Sequence, residues 1–409
     1  MNPIFRKCRE IALSLLNPSS RDLERGLELH ESSLVIDAYG FAPRAVVDPD
    51  VIEAAQQAGA SPAEVEMLRH ERMMTGVADD PASRAYFKEA FETAGVDCLF
   101  QNAGEEGNDV EVLLRRLARY TSVMDRMPDV LHRCTNSRHV LQARSKNKHS
   151  LCLTTNGVPL PRSFRSTEEG VSFIQTFAQL GVKMMHLTYN RRNLIGDGCG
   201  EESDAGLSDF GVAVVKEMNR FGVIVDVAHS SNRTGIDAAR HSSKPIVISH
   251  ATCRALSAHC RSKTDEVIRA VADTGGFIGI CCMSAFLQGS GDIIALLDHI
   301  EYAVKLVGAD HVAIGTDTVA LCHNTQAQEM ANSGNRPCRL AFESLWPEGD
   351  ELFNPHWYQS HMWQSLTWTN WPLFTVGLVQ RGLSDEQIRK IIGGNALRVI
   401  AANERWAVV

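Results

Sequence analysis

No stretch of this 409-residue sequence approaches the roughly 20 consecutive apolar residues that a membrane-spanning helix needs. The N-terminal "MNPIFRKCREIALSLL" pairs basic residues with an apolar run, but Arg9 and Glu10 interrupt it and "IALSLL" is too short for a signal-peptide core. There is no C-x-x-C pair among the eleven cysteines, whose number is odd and whose spacing is scattered. A disulfide framework and a cysteine-rich zinc site are therefore not indicated, and a reduced, cytoplasmic setting is expected. No basic block occurs either: 41 Lys and Arg stand against 49 Asp and Glu, a net charge of −8. Nucleic acid and anionic membranes are not suggested as partners, and a small soluble substrate fits better. Internal repeats and low-complexity tracts are absent as well.

What is present is a recurrence of eight strand-length apolar runs: "SLVIDAYG" (33–40), "VDCLFQNAG" (96–104), "SLCLTTNG" (150–157), "VKMMHLTYN" (182–190), "VIVDVAHSS" (223–231), "PIVISHAT" (245–252), "GGFIGICCM" (275–283) and "HVAIGTDTV" (311–319). Helical patterns separate them. In "LSDFGVAVVKEMNRFG", Phe210, Val214, Met218 and Phe221 form one stripe, Ser208 is placed to cap and Gly222 to stop the helix. "TDEVIRAVADTGG" predicts a second, capped by Thr264, with Val267, Ile268 and Val271 inward and Gly275 at its end. Eight alternations of strand and helix predict an α/β fold, a single (β/α)8 TIM barrel domain with its core over about residues 30–403.

Two connections exceed ordinary length. Residues 41–95 form a charged, helical insertion after the first strand. Residues 320–382 follow the eighth and hold five of the six tryptophans. Loops after barrel strands lie on the catalytic face, so this aromatic segment either walls a pocket or packs as a satellite core or an oligomer contact.

Inward positions alternate along a barrel strand. That alternation groups Val225, Val227 and His229 on the fifth strand, Ile246, Ile248 and His250 on the sixth, and Ala313, Gly315 and Asp317 on the eighth. Apolar or small residues would lie low, with two imidazoles and a carboxylate at the mouth. A lone histidine is more often structural than functional, but three polar groups at one height are costly to bury unless they bind an ion, one another or a substrate. Two His and one Asp can hold Zn²⁺ with an open position for water.

Several long segments carry a resemblance: "LTYNRRNLIGDGCGEESDAGLSDFGVAVVKEMNRFGVIVDVAHSS", "PIVISHATCRALSAHCRSKTDEVIRAVADTGGFIGI", "DHIEYAVKLVGADHVAIGTD" and "GLSDEQIRKIIGGNALRVI". With these the chain resembles the membrane (renal) dipeptidase family of the amidohydrolase superfamily, in particular its soluble bacterial members. The resemblance implies a hydrolase of small dipeptides built around two zinc ions, held by a His-x-Asp on the first strand, a bridging Glu on the third, and one His each on the fifth and sixth. It implies that His229 and His250 are the fifth- and sixth-strand ligands. It further implies that Asp317 handles the proton of the attacking water and Arg261 grips the substrate's terminal carboxylate. A homodimer is also implied.

The remaining positions depart from the family pattern. The first-strand pair falls on Tyr39 and Phe41, the bridging Glu on Thr155, and the His that polarises the carbonyl on Tyr189. Phe41 has no lone pair and a neutral phenol is a poor ligand, so the first-strand metal is expected to be lost. What remains is one divalent metal, zinc by ligand type, on His229, His250 and Asp317 with reduced affinity, or no metal at all. In the second case Tyr39, Tyr189, His229, His250 and Asp317 form an acid/base cluster around a small carboxylate. His229, Asp317 and Tyr189 are the catalytic candidates; Arg261, Tyr39 and Thr155 are the substrate-binding ones.

Three functions follow from this inventory. The first is a dipeptidase-like hydrolase of a small dipeptide or N-acyl amino acid with at most one metal. The second is a non-hydrolytic acid/base enzyme on a small carboxylate, and the third a catalytically silent relative. One of Cys281 and Cys282 must face the barrel interior, as a nucleophile or as a small core residue. Cys199 sits in a glycine-rich turn without the strand-to-helix setting of a phosphate loop, and His323, His356 and His361 are loop histidines available as replacement ligands.

Overall fold

The computed structural model describes residues 1–45, 47–104, 109–319 and 341–404. Eight parallel strands follow one another around a barrel: β1 (Ile36–Gly40), β2 (Cys98–Asn102), β3 (His149–Thr155), β4 (Val182–His186), β5 (Ile224–Asp226), β6 (Val247–Cys253), β7 (Phe277–Ile280) and β8 (Val312–Ile314). Each coincides with one of the eight runs read from the sequence, β3 and β6 reaching one residue beyond theirs at His149 and Cys253. Two short strands, Leu131–Arg133 beside β3 and Ser262–Lys263 beside β6, lie outside that circuit. Past β8 the chain runs along the end of β1: Asp317 N–H donates to the Tyr39 carbonyl at 2.9 Å, and Phe41 pairs in parallel with Val319. A buried carboxylate reinforces this seam, Asp37 accepting from the Thr316 N–H at 2.9 Å, the Thr316 hydroxyl at 2.6 Å and the Trp368 indole at 2.8 Å.

The helices form for the reasons their sequences give. Ser208 caps Asp209–Phe221 by accepting from the Gly211 N–H, and Gly222 ends it in the left-handed region that glycine tolerates. Thr264 precedes Asp265–Asp273 as expected but makes no capping side-chain bond there, while Val267, Ile268 and Val271 are buried. The insertion after β1 is three helices, Pro49–Gln57, Pro62–Asp79 and Pro81–Ala94, each opened by Pro behind an Asp or Ser cap. No described helix is long and apolar enough to cross a membrane.

The alternation is where structure and sequence part. Val225, Val227, Ile246 and Ile248 belong to the outer core under the helices. The inward side chains are Ile224 on β5, Val247 on β6 and Ala313 on β8, packed with Met184, Phe100 and Phe277 and closed off by Val399 and Ile400 of the last helix, Asn395–Ala402. His229 still reaches the mouth because β5 stops at Asp226 and the chain turns, Ser230 N–H donating to the Val227 carbonyl. His250 is re-aimed by a register shift between Ile248 and Ala251 of β6 and comes to lie buried beneath the mouth, against His229.

That shift brings the Ser249 carbonyl toward β7 and β8, where only glycine fits. A Cβ on Gly279 or on Gly315 would stand 2.0 Å from the Ser249 oxygen. Gly315→Ala is therefore expected to destabilise the barrel by about 3 kcal/mol, the upper end of overpacking costs. A urea unfolding midpoint within error of the parent would contradict this contact.

The aromatic segment walls the mouth in part, as expected, and for the rest joins the main core rather than a satellite one. Trp368 and Trp371 are fully buried in the main core, Trp368 edge-on to Phe91. Trp346 instead stacks on Phe286 at 5.6 Å beside the mouth.

Candidate active site

A cavity of about 350 Å³ opens at the end of the barrel where the strands finish. Tyr39, Asn156, Tyr189, His229 and Asp317, which stand at or just beyond the ends of β1, β3, β4, β5 and β8, reach into it. Phe286 and Trp346 wall one side, and Arg44, His70 and Arg116 from the β1 insertion and the helix after β2 contribute the other. Asp317 adopts φ +55, a left-handed conformation uncommon for a residue with a side chain and often held at functional sites.

Beneath the cavity runs a chain of hydrogen bonds. His229 Nδ1 donates to Asn190 Oδ1 at 2.7 Å, His229 Nε2 lies 3.0 Å from His250 Nε2, and His250 Nδ1 lies 2.8 Å from the Ser249 hydroxyl. With the amide oxygen as acceptor, the two Nε2 atoms share a single proton and both rings are neutral. Burial, and after it the Arg261 charge, hold both imidazoles well below the ordinary histidine range. Tyr189 stacks on His229 with centroids 4.1 Å apart, and Tyr39 on His250 at 3.8 Å and 14°. The Tyr39 hydroxyl donates to Asn156 Oδ1 at 2.5 Å.

Other residues singled out from the sequence sit elsewhere. Arg261 is fully buried and does not line the cavity; its guanidinium donates to the carbonyls of Ala228 and, at 2.9 Å, His250. It braces the two histidine-bearing turns, and among the described residues the Arg and Lys side chains that line the cavity are Arg44 and Arg116. Thr155 is buried too, its hydroxyl donating to the Gly157 carbonyl at 2.6 Å, and its neighbour Asn156 faces the cavity in its place. Cys281 and Cys282 are buried, and burial pushes the Cys281 thiol up to about 12, so neither is a nucleophile. His356 and His361 are exposed, and His323 lies outside the described residues.

The ligand set His229, His250 and Asp317 is not one of the donor groupings the structure forms. Among the described residues, donors lying within 4.8 Å of one another occur as His186, Asp226 and His250, and as His259, Cys260 and Asp350. His186 was not singled out as a ligand in "VKMMHLTYN". Its two-residue spacing from the inward Met184 was the available signal.

Residues 23–333 match the family model described as membrane dipeptidase, peptidase family M19. The chain belongs to this family. The membrane-dipeptidase relatives include the dipeptidase verJ of Clonostachys rogersoniana, 27% identical over 233 residues, which are 55% of this chain and 50% of that one. Another is a protein of the pqqA 5′ region of Klebsiella pneumoniae, 30% identical over 156 residues, 35% of this chain and 58% of that one. The chain thus spans little more than half the length of these curated relatives. An amidohydrolase from Pseudomonas aeruginosa shares the barrel with a TM-score of 0.67 at 23% identity, over 92% of this chain and 98% of that one.

The dinuclear zinc centre implied by the membrane dipeptidase resemblance does not fit these residues. Phe41 offers no donor, the Thr155 hydroxyl is turned to a backbone carbonyl, and the Tyr39 ring covers the face of His250. No chemistry is routed through such a centre here.

Proposed function

We propose that this chain is a dipeptidase-like hydrolase of a small dipeptide or N-acyl amino acid carrying a free carboxylate, using at most one divalent cation. The observation that carries the reading is the convergence of His229, Asp317 and Tyr189 on one open cavity of dipeptide-compatible size in a membrane dipeptidase chain. His229 is neutral, its Nδ1 donating to Asn190 and its lone pair on Nε2 directed at His250, and it serves as base once that contact to His250 opens. Asp317 faces the same space and serves as the second proton acceptor. The phenols of Tyr39 and Tyr189 line the same space, where a hydroxyl can turn from its present partner to a carbonyl oxygen as charge develops on it. A homodimer belongs to the same reading through the family resemblance.

Arg44 and Arg116 take over the carboxylate recognition that the resemblance implies for Arg261. Arg44→Ala is expected to raise KM for a dipeptide by about 10- to 100-fold, the worth of a charge-assisted hydrogen bond, with a smaller change in kcat. Steady-state kinetics on a dipeptide and on its C-terminal amide check this. An equal effect of the mutation on both substrates would show that Arg44 does not read the carboxylate.

The activity itself is tested by incubating the full chain with a panel of dipeptides and N-acyl amino acids, with and without chelator, and following free amine. Turnover that depends on His229 supports the proposal, and no turnover of any member removes it. One feature favours a second reading, acid/base chemistry without hydrolysis: Tyr39 and Phe41 put aromatic rings where the resemblance implies ligands. Release of an elimination or isomerisation product without free amine would select it.

A further inference from the structure

We infer that a single divalent cation is held by His186, Asp226 and His250 in the floor of the barrel, a seat that shares only His250 with the one the resemblance implies. The three residues end or interrupt β4, β5 and β6, their donor atoms lie within 4.8 Å of one another, and they are 1%, 0% and 0% exposed. The inference concerns cation binding alone and stands whether or not dipeptides are cleaved.

Unpaired atoms provide the first argument. His186 Nε2 and Asp226 Oδ2 are an ion pair at 2.6 Å that falls outside hydrogen-bond geometry, and among the described residues His186 Nδ1 has no hydrogen-bond partner. Buried polar atoms left unmatched cost several kcal/mol and mark a strained contact or a missing ion or water. At 2.6 Å the two atoms form a close ion pair, and an ion seated between them would open that contact to about 3.3 Å, the separation of two donors on a tetrahedral centre.

The outer contacts give the second argument, because they fix the atoms that would not bind metal. Asp226 Oδ1 accepts the backbone N–H of Ala228 at 2.9 Å and of Ser249 at 3.1 Å, which leaves Oδ2 over. His250 Nδ1 is taken by the Ser249 hydroxyl, so the atom offered to the ion is Nε2, which gives up the proton it shares with His229 Nε2. Such support from the far side of each ligand is what orients metal-binding His and carboxylate groups.

Ring geometry agrees. The centroids of His186, His229 and His250 are 5.0, 5.1 and 5.4 Å apart pairwise. Two imidazoles on one tetrahedral ion, with nitrogen-to-metal distances of about 2.0–2.1 Å, place their centroids about 5 Å apart, close to the separation of His186 and His250. His229 therefore borders the seat on the cavity side, and its contact with His250 connects the cation to the pocket. Two nitrogens and one carboxylate oxygen select a borderline ion, zinc first.

The test is metal uptake by the full chain with no substrate present. The protein is stripped with chelator and titrated with Zn²⁺ and with Co²⁺, whose visible spectrum reports coordination. The expected result is one equivalent per chain, a Tm raised by the metal, and affinity lowered about a hundredfold or more in His186→Gln and in Asp226→Asn, with Arg44→Ala unaffected. Absence of stoichiometric uptake, or equal affinity in both ligand variants, overturns the proposal. Should those variants not fold, X-ray absorption on the zinc-loaded parent decides: nitrogen and oxygen neighbours with imidazole scattering support the seat. A sulfur neighbour, which would move the ion to His259, Cys260 and Asp350, overturns it.

Discussion

Replacing His229 with glutamine is expected to lower kcat/KM on a cleaved dipeptide by about 10²- to 10⁴-fold, the usual worth of a positioned general base. Glutamine retains a donor for Asn190 and a group facing His250, so the fold is expected to survive. The ring is otherwise over-determined, held by Asn190 at 2.7 Å, by His250 at 3.0 Å and by the stacked Tyr189. Pre-steady-state and steady-state rates measured beside a thermal melt separate the chemical loss from unfolding. A variant that keeps its melting temperature and more than a tenth of parental kcat/KM would remove His229 from the chemistry.

The second large effect lies at the seam. Asp37 is fully buried and accepts from two groups of Thr316, from Trp368 and, at 3.2 Å, from the Tyr39 N–H. Deleting the carboxylate in Asp37→Ala strands those donors and is expected to cost about 3–5 kcal/mol. The same residue makes stability depend on pH. Burial outweighs its hydrogen bonds and raises the carboxyl from 3.8 to about 6. The folded chain then holds a proton that the unfolded chain has released between about pH 4 and pH 6. Stability from this group is fully present below pH 4 and is lost as pH rises through 6, by about 3 kcal/mol at ~1.36 kcal/mol per unit. Asp37→Asn does not titrate. The stability gap between parent and Asp37→Asn should therefore shrink from pH 4 to pH 7 in urea melts, and a gap independent of pH would contradict the assignment.

How much of this was legible in the chain differs by level. The eight strands were readable because each is a β-branched or apolar run bounded by small or polar residues, and barrel strands buried on both faces need little else. The face each residue takes was harder. Val225 and Ile248 look like interior residues because both faces are apolar, and only where β5 ends and where β6 slips register decides which side turns inward. His229 and Asp317 were marked from their places at strand ends and Tyr39 and Tyr189 through the resemblance, and all four line the cavity. Arg261 was read through the resemblance as a substrate clamp, whereas its guanidinium lies among backbone carbonyls. His186 went unmarked because nothing in one strand announces that Asp226 and His250 will close on it.

The indole that meets Asp37 comes from 331 positions further along the chain. The same late stretch supplies Asn370, whose side-chain amide donates to the Cys8 carbonyl at 3.1 Å and so ties down the first helix, Pro3–Leu16. During synthesis all eight staves are therefore made before their hoop arrives. A ribosome halted ahead of Trp368 would carry an unlatched cylinder and a loose leading helix, both exposed to proteases until translation resumed.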